Sequence, residues 1–260
     1  MQTKRITPIT FIKALVLAAC PMMLVAQSTP SKPQLFYVHE DPVTEMKVAE
    51  YEKLSKDLVG QCQKFGISDS WATIQDDDHK YYTVTPITNM ADLDKDSMLP
   101  LKEKLGKEAY EAMFAAFDKC YPSHRDYLIT RMNDSYSYMP DGENEKMAEF
   151  PYRKYHYVYY EPQYRSQLSD LAKKLRDLNA SKGARLHYNV YVSRFGNGEN
   201  FIMAEEVAKD EADYKERLAY DTKLMGAEID KIMADIKKLS RRMETKTGHV
   251  RTDLSYFATK

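Results

Sequence analysis

Cysteine, tryptophan and charge of a single sign are all scarce in this 260-residue chain. Cys20 lies in an apolar leader, so only Cys62 and Cys120 remain for the folded part, too few for a disulfide-built scaffold. Basic and acidic residues nearly cancel, for a formal charge of −1. Without Lys4, Arg5 and Lys13 of the leader the balance is 35 basic against 39 acidic residues, about −4, which supplies no field for nucleic acid or an anionic membrane. After Gln27 no apolar run approaches the roughly 20 residues that span a bilayer. No phosphate-cradling loop, nucleophile–base motif or closely spaced metal-ligand set occurs, so no metal site is expected and no catalytic residue stands out.

What is present begins with the leader. Lys4, Arg5 and Lys13 accompany an uncharged run from Ala14 to Val25, and Ala26 precedes Gln27, the pattern of a signal peptide over residues 1–26. Export to the periplasm or medium is expected. The alternative is a lipoprotein anchored through Cys20, because Leu17-Ala18-Ala19-Cys20 resembles a lipobox. That cut would begin the mature chain with the apolar segment Pro21 to Val25, which has no reason to be exposed.

The remainder says nearly the same thing twice, about 120 residues apart. Tyr37-Val38 before Pro42 recurs as Tyr157-Val158 before Pro162, Trp71 to Ile74 as Tyr188 to Tyr191, and Asp134 with Ser137-Tyr138 as Asp253 with Ser255-Tyr256. Period-2 and helical spacing predict strands at 35–39, 71–75, 81–85 and 127–132, with helices at 43–65 and 99–120. The second set is strands at 152–160, 186–194, 199–205 and 249–257, with helices at 163–180 and 211–239. The chain thus divides into a 27–34 linker, a repeat over 35–139, a turn-rich hinge over 140–151 and a repeat over 152–260. Each repeat reads strand, helix, strand, strand, helix, strand, the ferredoxin-like unit, and the class is α+β. Each such sheet leaves one face bare, and two bare faces from one chain can cover each other as a pseudo-dimeric α/β barrel.

In this element order and duplication the chain resembles the dimeric α/β-barrel superfamily. That superfamily includes antibiotic-biosynthesis-type monooxygenases, NIPSNAP-like proteins and, in two-repeat form, chlorite dismutase-like haem proteins. The resemblance implies a cavity between the sheets and either a binding role or oxidoreductase chemistry. A haem would need one histidine, for which His156 and His187, on strands of the second repeat, are the candidates. Trp71, Tyr138, Tyr157 and Tyr188 are candidate lining residues for a flat or aromatic ligand. The plainer reading of the 20 tyrosines is strand core.

Cys62 and Cys120 fall near the C-terminal ends of antiparallel helices, so both are expected as buried free thiols. Asp76-Asp77-Asp78 lacks the spaced ligands of a calcium loop and reads as a solvated turn. The repeated Asp134/Ser137-Tyr138 and Asp253/Ser255-Tyr256 elements are expected to anchor the closing strands, the alternative being that they mark a symmetric ligand mouth. The functional expectation is an exported protein that binds a small apolar or aromatic molecule. The alternative is a cofactor-free or haem-dependent monooxygenase, in whose cofactor-free form the substrate supplies the reactive electrons and no loud motif is required. Oligomeric state is not legible in the sequence.

Overall fold

The computed structural model describes residues 32–258, apart from the side chain of Asp134. The leader, its cleavage site and Cys20 lie outside these residues. In chain order the elements are β1 (Gln34–Pro42), α1 (Val48–Phe65), β2 (Ser70–Asp76), β3 (Lys80–Ile87), α2 (Leu99–Leu105), α3 (Lys107–Phe117), β4 (Arg125–Arg131) and α4 (Asn133–Tyr136). They continue with β5 (Tyr152–Tyr160), α5 (Arg165–Lys182), β6 (His187–Ser193), β7 (Phe201–Ala208), α6 (Glu211–Met225), α7 (Ala227–Leu239), β8 (Ser240–Val250) and β9 (Tyr256–Phe257).

Every strand pairing is antiparallel, and the order β2-β3-β1-β4-β6-β7-β5-β8 returns to β2, so eight strands close into a barrel. The order β2-β3-β1-β4 before the connecting segment matches β6-β7-β5-β8 after it. Two short seams join these halves. At one, Ile129 to Arg131 face Ser193 to Tyr191; at the other, Ile74 to Asp76 face Val250 to Gly248.

Alternation along the strands sends one set of side chains inward and the other against the helices. Inward lie Val38, Tyr127, Ile129, Tyr155, Tyr191, Phe201 and Met203, with Tyr82, Tyr157 and Tyr159 packed on them. The rings fill the barrel and leave a residual space of only about 50 Å³. The open cavity expected between the sheets is therefore mostly tyrosine. Its polar end is organised by buried Glu205, which accepts hydrogen bonds from Tyr191 Oη (2.8 Å) and Asn189 Nδ2 (3.0 Å) and pairs with Arg153 (3.2 Å).

Several expectations are corrected by register and backbone geometry. Val38 points into the barrel while Val158 points at the helices, so Tyr37-Val38 and Tyr157-Val158 are not equivalent positions. The matching starts are Val48 with Arg165 and Ser70 with His187, each pair 117 residues apart. An odd slip from that spacing reverses the face of every strand residue. The expected helices at 99–120 and 211–239 are each broken, at Gly106 (φ 83°) and Gly226 (φ 52°), whose positive φ a glycine adopts without steric cost. The last long strand is Ser240–Val250 rather than 249–257. Its run of charged residues hides a strand paired on both sides by β5 and, at its end, β2.

The turn at Asp76 is only half solvated. Asp76 is buried and accepts from Tyr82 Oη at 2.9 Å, while Asp77 and Asp78 are exposed. The 140–151 segment is likewise no free hinge, since Glu143 is buried against Arg217 (2.9 Å) and His187 (3.0 Å) and Phe150 is buried beside it. Cys62 and Cys120 are both buried and unbridged, and burial pushes the Cys62 thiol up to about 11.

Candidate active site

A cavity lies outside the barrel, between its wall and the helices α5, α6 and α7. It measures about 330 Å³, within the range of small-molecule sites. Its floor is the outward face of β5, β6 and β7, where period-2 alternation presents Val158, Val190 and Ile202; its roof carries Leu168, Leu175 and Ile236. Leu218, Met233 and Met243 are about two-fifths exposed and form its apolar rim. The break at Gly226 sits beside Met225, on the cavity wall, and ends α6 where a continuous helix would run on.

A hydrogen-bonded polar chain interrupts this largely apolar lining. Glu206 of β7 accepts a hydrogen bond from Tyr214 Oη at 2.9 Å, and the same carboxylate oxygen lies 2.9 Å from His156 Nε2. His156 Nδ1 is 3.2 Å from Thr245 Oγ1. A carboxylate partner assigns the proton to Nε2, leaving Nδ1 to accept from the threonine hydroxyl. Burial and then the Glu206 charge push the Tyr214 phenol well above its ordinary range, so it stays a donor. Glu206 and His156 touch the same cavity and can pass a proton between them. Asp221, also on the wall, is occupied by the backbone N–H groups of Arg185 and Leu186 (2.9 and 2.8 Å) and closes the α5–β6 connection.

The candidate residues read from sequence fall in several places. His156, on the cavity floor, and Tyr188, also on its wall, are brought together. Tyr138 packs on Tyr188 with ring centroids 6.4 Å apart, but its hydroxyl donates to Ala184 O. Tyr157 belongs to the barrel interior, and Trp71 to the helix layer of the first half, packed on Tyr256 and donating from Nε1 to Leu254 O. His187 is buried against Glu143 and Tyr138 and does not reach the cavity. Glu206 and Tyr214 were missed. Glu205-Glu206 carried a signal only in retrospect, as acids within an otherwise apolar strand, where alternation sends one to each face.

No protein-family model matches the chain, and no curated protein matches it by sequence. Solved structures do resemble it. A candidate monooxygenase from Lactobacillus acidophilus NCFM superposes with a TM-score of 0.52 over 88% of this chain and 97% of its own, at 12% identity. An anthrone oxidase-like protein gives 0.54 over 84% and 91%, at 13% identity. The chain has the dimeric α/β-barrel fold. A mutant chlorite dismutase from Candidatus Nitrospira defluvii overlaps at 0.47 over 84% and 92%, with 10% identity.

The cavity beneath α5, α6 and α7 does not fit haem. Both ring nitrogens of His156 are engaged, so none is free to serve as an axial ligand, and no Lys or Arg lines the wall to hold propionates. His187 is not on the wall at all.

Proposed function

We propose that the protein is a cofactor-free oxidoreductase of monooxygenase type that oxidises a small, largely apolar phenol or enol with O2 in the cavity beneath α5, α6 and α7. The observation that carries this reading is the Tyr214–Glu206–His156 chain on the wall of a cavity otherwise lined mostly by apolar side chains. Glu206 accepts the substrate hydroxyl proton, His156 shares the resulting charge change, and Tyr214 keeps the carboxylate oriented. The enolate or phenolate then supplies electrons to O2: one oxygen atom becomes a carbonyl on the reacting carbon, the other leaves as water with the two hydrogens the substrate loses, and the apolar walls keep bulk water from that carbon. The likeness to monooxygenase-type and anthrone oxidase-like structures supports this choice of reaction and suggests anthrone, an enolisable tricycle, as the probe.

The two halves of the barrel are read as tandem ferredoxin-like units descended from a duplication, supported by the equal strand order and the 117-residue spacing. The leader over residues 1–26 supports an exported enzyme. The test is oxygen uptake with anthrone. Wild type should consume O2 in proportion to anthrone oxidised, and Glu206→Gln should lose roughly 100-fold, the usual share of a general base. Saturable anthrone binding without oxygen uptake would instead make the cavity a binding site.

A further inference from the structure

A second polar cluster lies on the opposite half of the molecule, away from the cavity. β1 alternation puts Tyr37, His39 and Asp41 on its helix-facing side, and the segment entering β4 brings His124 and Asp126 across from them. His39 stands at the centre. Its Nδ1 is 2.7 Å from Asp126 Oδ1, which also accepts from Tyr37 Oη at 2.5 Å. Its Nε2 is 3.0 Å from Asp41 Oδ1. The rings of His39 and His124 are 5.1 Å apart between centroids.

Asp41 is the informative member. The residue is only 4% exposed, and its Oδ2 accepts from Tyr51 Oη at 2.7 Å. Its Oδ1 is buried without an aligned hydrogen bond: the His39 nitrogen touches it but is not directed along a donor line. That contact leaves the buried oxygen short of a full hydrogen bond, so it keeps lone-pair capacity that a metal cation replacing the His39 proton can use. One ring nitrogen each from His39 and His124 and a carboxylate oxygen of Asp41 all lie within 4.8 Å of one another. Ligand atoms about 2.1 Å from a tetrahedral zinc ion are about 3.4 Å apart, so closing the set requires an inward swing of roughly 1 Å. His124 is exposed and outside the strand, which leaves it free to make that movement.

We infer that this cluster binds a divalent transition cation of the zinc class through His39 Nε2, Asp41 Oδ1 and a ring nitrogen of His124. Two imidazoles and one carboxylate suit Zn²⁺ and leave one coordination position open. Asp126 supplies the outer partner. By holding Nδ1–H it fixes the tautomer that turns Nε2 toward the metal, and Tyr37 in turn holds Asp126. The site shares no residue with the Glu206 cavity, so it stands or falls separately from the proposed oxidation.

The test is titration of the metal-free full chain with Co²⁺, whose visible d–d bands report coordination, followed by displacement with Zn²⁺. The expected result is one Co²⁺ per chain with bands of low-coordinate geometry, displaced by one equivalent of Zn²⁺. His124→Ala should abolish the bands, and Asp126→Asn should weaken binding 10- to 100-fold, the usual scale for an outer-shell partner. His249→Gln, outside the cluster, should bind as wild type. His124→Ala is the decisive variant, because an exposed loop residue can be removed without unfolding the barrel; His39→Ala is read only alongside its melting curve. No cobalt bound by folded wild type would overturn the inference, as would binding that His124→Ala retains or binding at several weak sites.

Discussion

Glu206 receives a phenol on one side and an imidazole on the same oxygen, and its remaining oxygen carries no protein partner among the described residues. That asymmetry leaves one oxygen available to a substrate hydroxyl while the other is held. Tyr214→Phe removes the holding donor without touching the acceptor. It should lower anthrone oxidation about 10-fold and cost roughly 1 kcal/mol of stability, the net worth of one hydrogen bond; a variant losing stability but not rate would make Tyr214 a packing residue. His39 offers a pH-dependent outcome. Burial opposes its charge, but the Asp41 carboxylate against Nε2, and then the hydrogen bond and charge of Asp126 at Nδ1, outweigh that and hold its pKa at about 9, above the ordinary 6.5. The stabilisation is full below pH 6.5 and is lost as pH rises through 9. In metal-free protein the melting temperature should fall across that window, and His39→Gln should flatten the fall. At this scale the sequence was least informative. His156 was legible as a strand histidine, but Glu206 and Tyr214 meet it only through β5–β7 pairing and the packing of α6, and His39 meets His124 across 85 residues of chain.

At the scale of elements, the repeated Ser-Tyr pairs do structural work. Ser137 Oγ accepts Val190 N–H at 2.8 Å and Ser255 Oγ accepts Thr73 N–H at 2.9 Å, so each pair ties down a strand of the other half. Tyr138 bridges Tyr188 and Tyr256 pairs with Trp71 in the same way. This anchoring was legible because Ser-Tyr recurs at matching ends of two amphipathic patterns. Ser255→Ala leaves a buried N–H without an acceptor and should cost about 1–3 kcal/mol in urea denaturation. The helix breaks were not legible, because Gly106 and Gly226 sit inside unbroken apolar periodicity and only φ distinguishes a tolerated glycine from a required one. Gly226→Ala forces a Cβ into φ 52°. It should cost on the order of 1–3 kcal/mol and draw α6 and α7 toward a continuous helix over the cavity, seen as lower melting temperature and weaker anthrone binding.

For the whole molecule, closure is the organising fact. β2 and β4 each lie at an edge of the first half's sheet, and each is completed only by a strand of the second half, β8 and β6 respectively. Barrel closure was foreseeable, since β5 is apolar or aromatic on both faces and such a strand needs cover on both. The position of the empty space was not. A count of tyrosines does not say which strand face they occupy, and here one set fills the barrel while the second half's helix layer keeps the larger cavity.

The central claim is that chemistry occurs in that outer cavity and not inside the barrel. The most direct measurement is anthrone-dependent oxygen uptake in two variants, each read alongside its melting curve. Ala204→Phe places a ring on the cavity floor, and Tyr82→Phe alters the barrel interior. The expected result is a loss of at least about 10-fold in Ala204→Phe with Tyr82→Phe near wild type, since a blocked cavity cannot place the substrate against Glu206. Full activity in Ala204→Phe, or its loss in Tyr82→Phe alone, would contradict the assignment and move the site into the barrel.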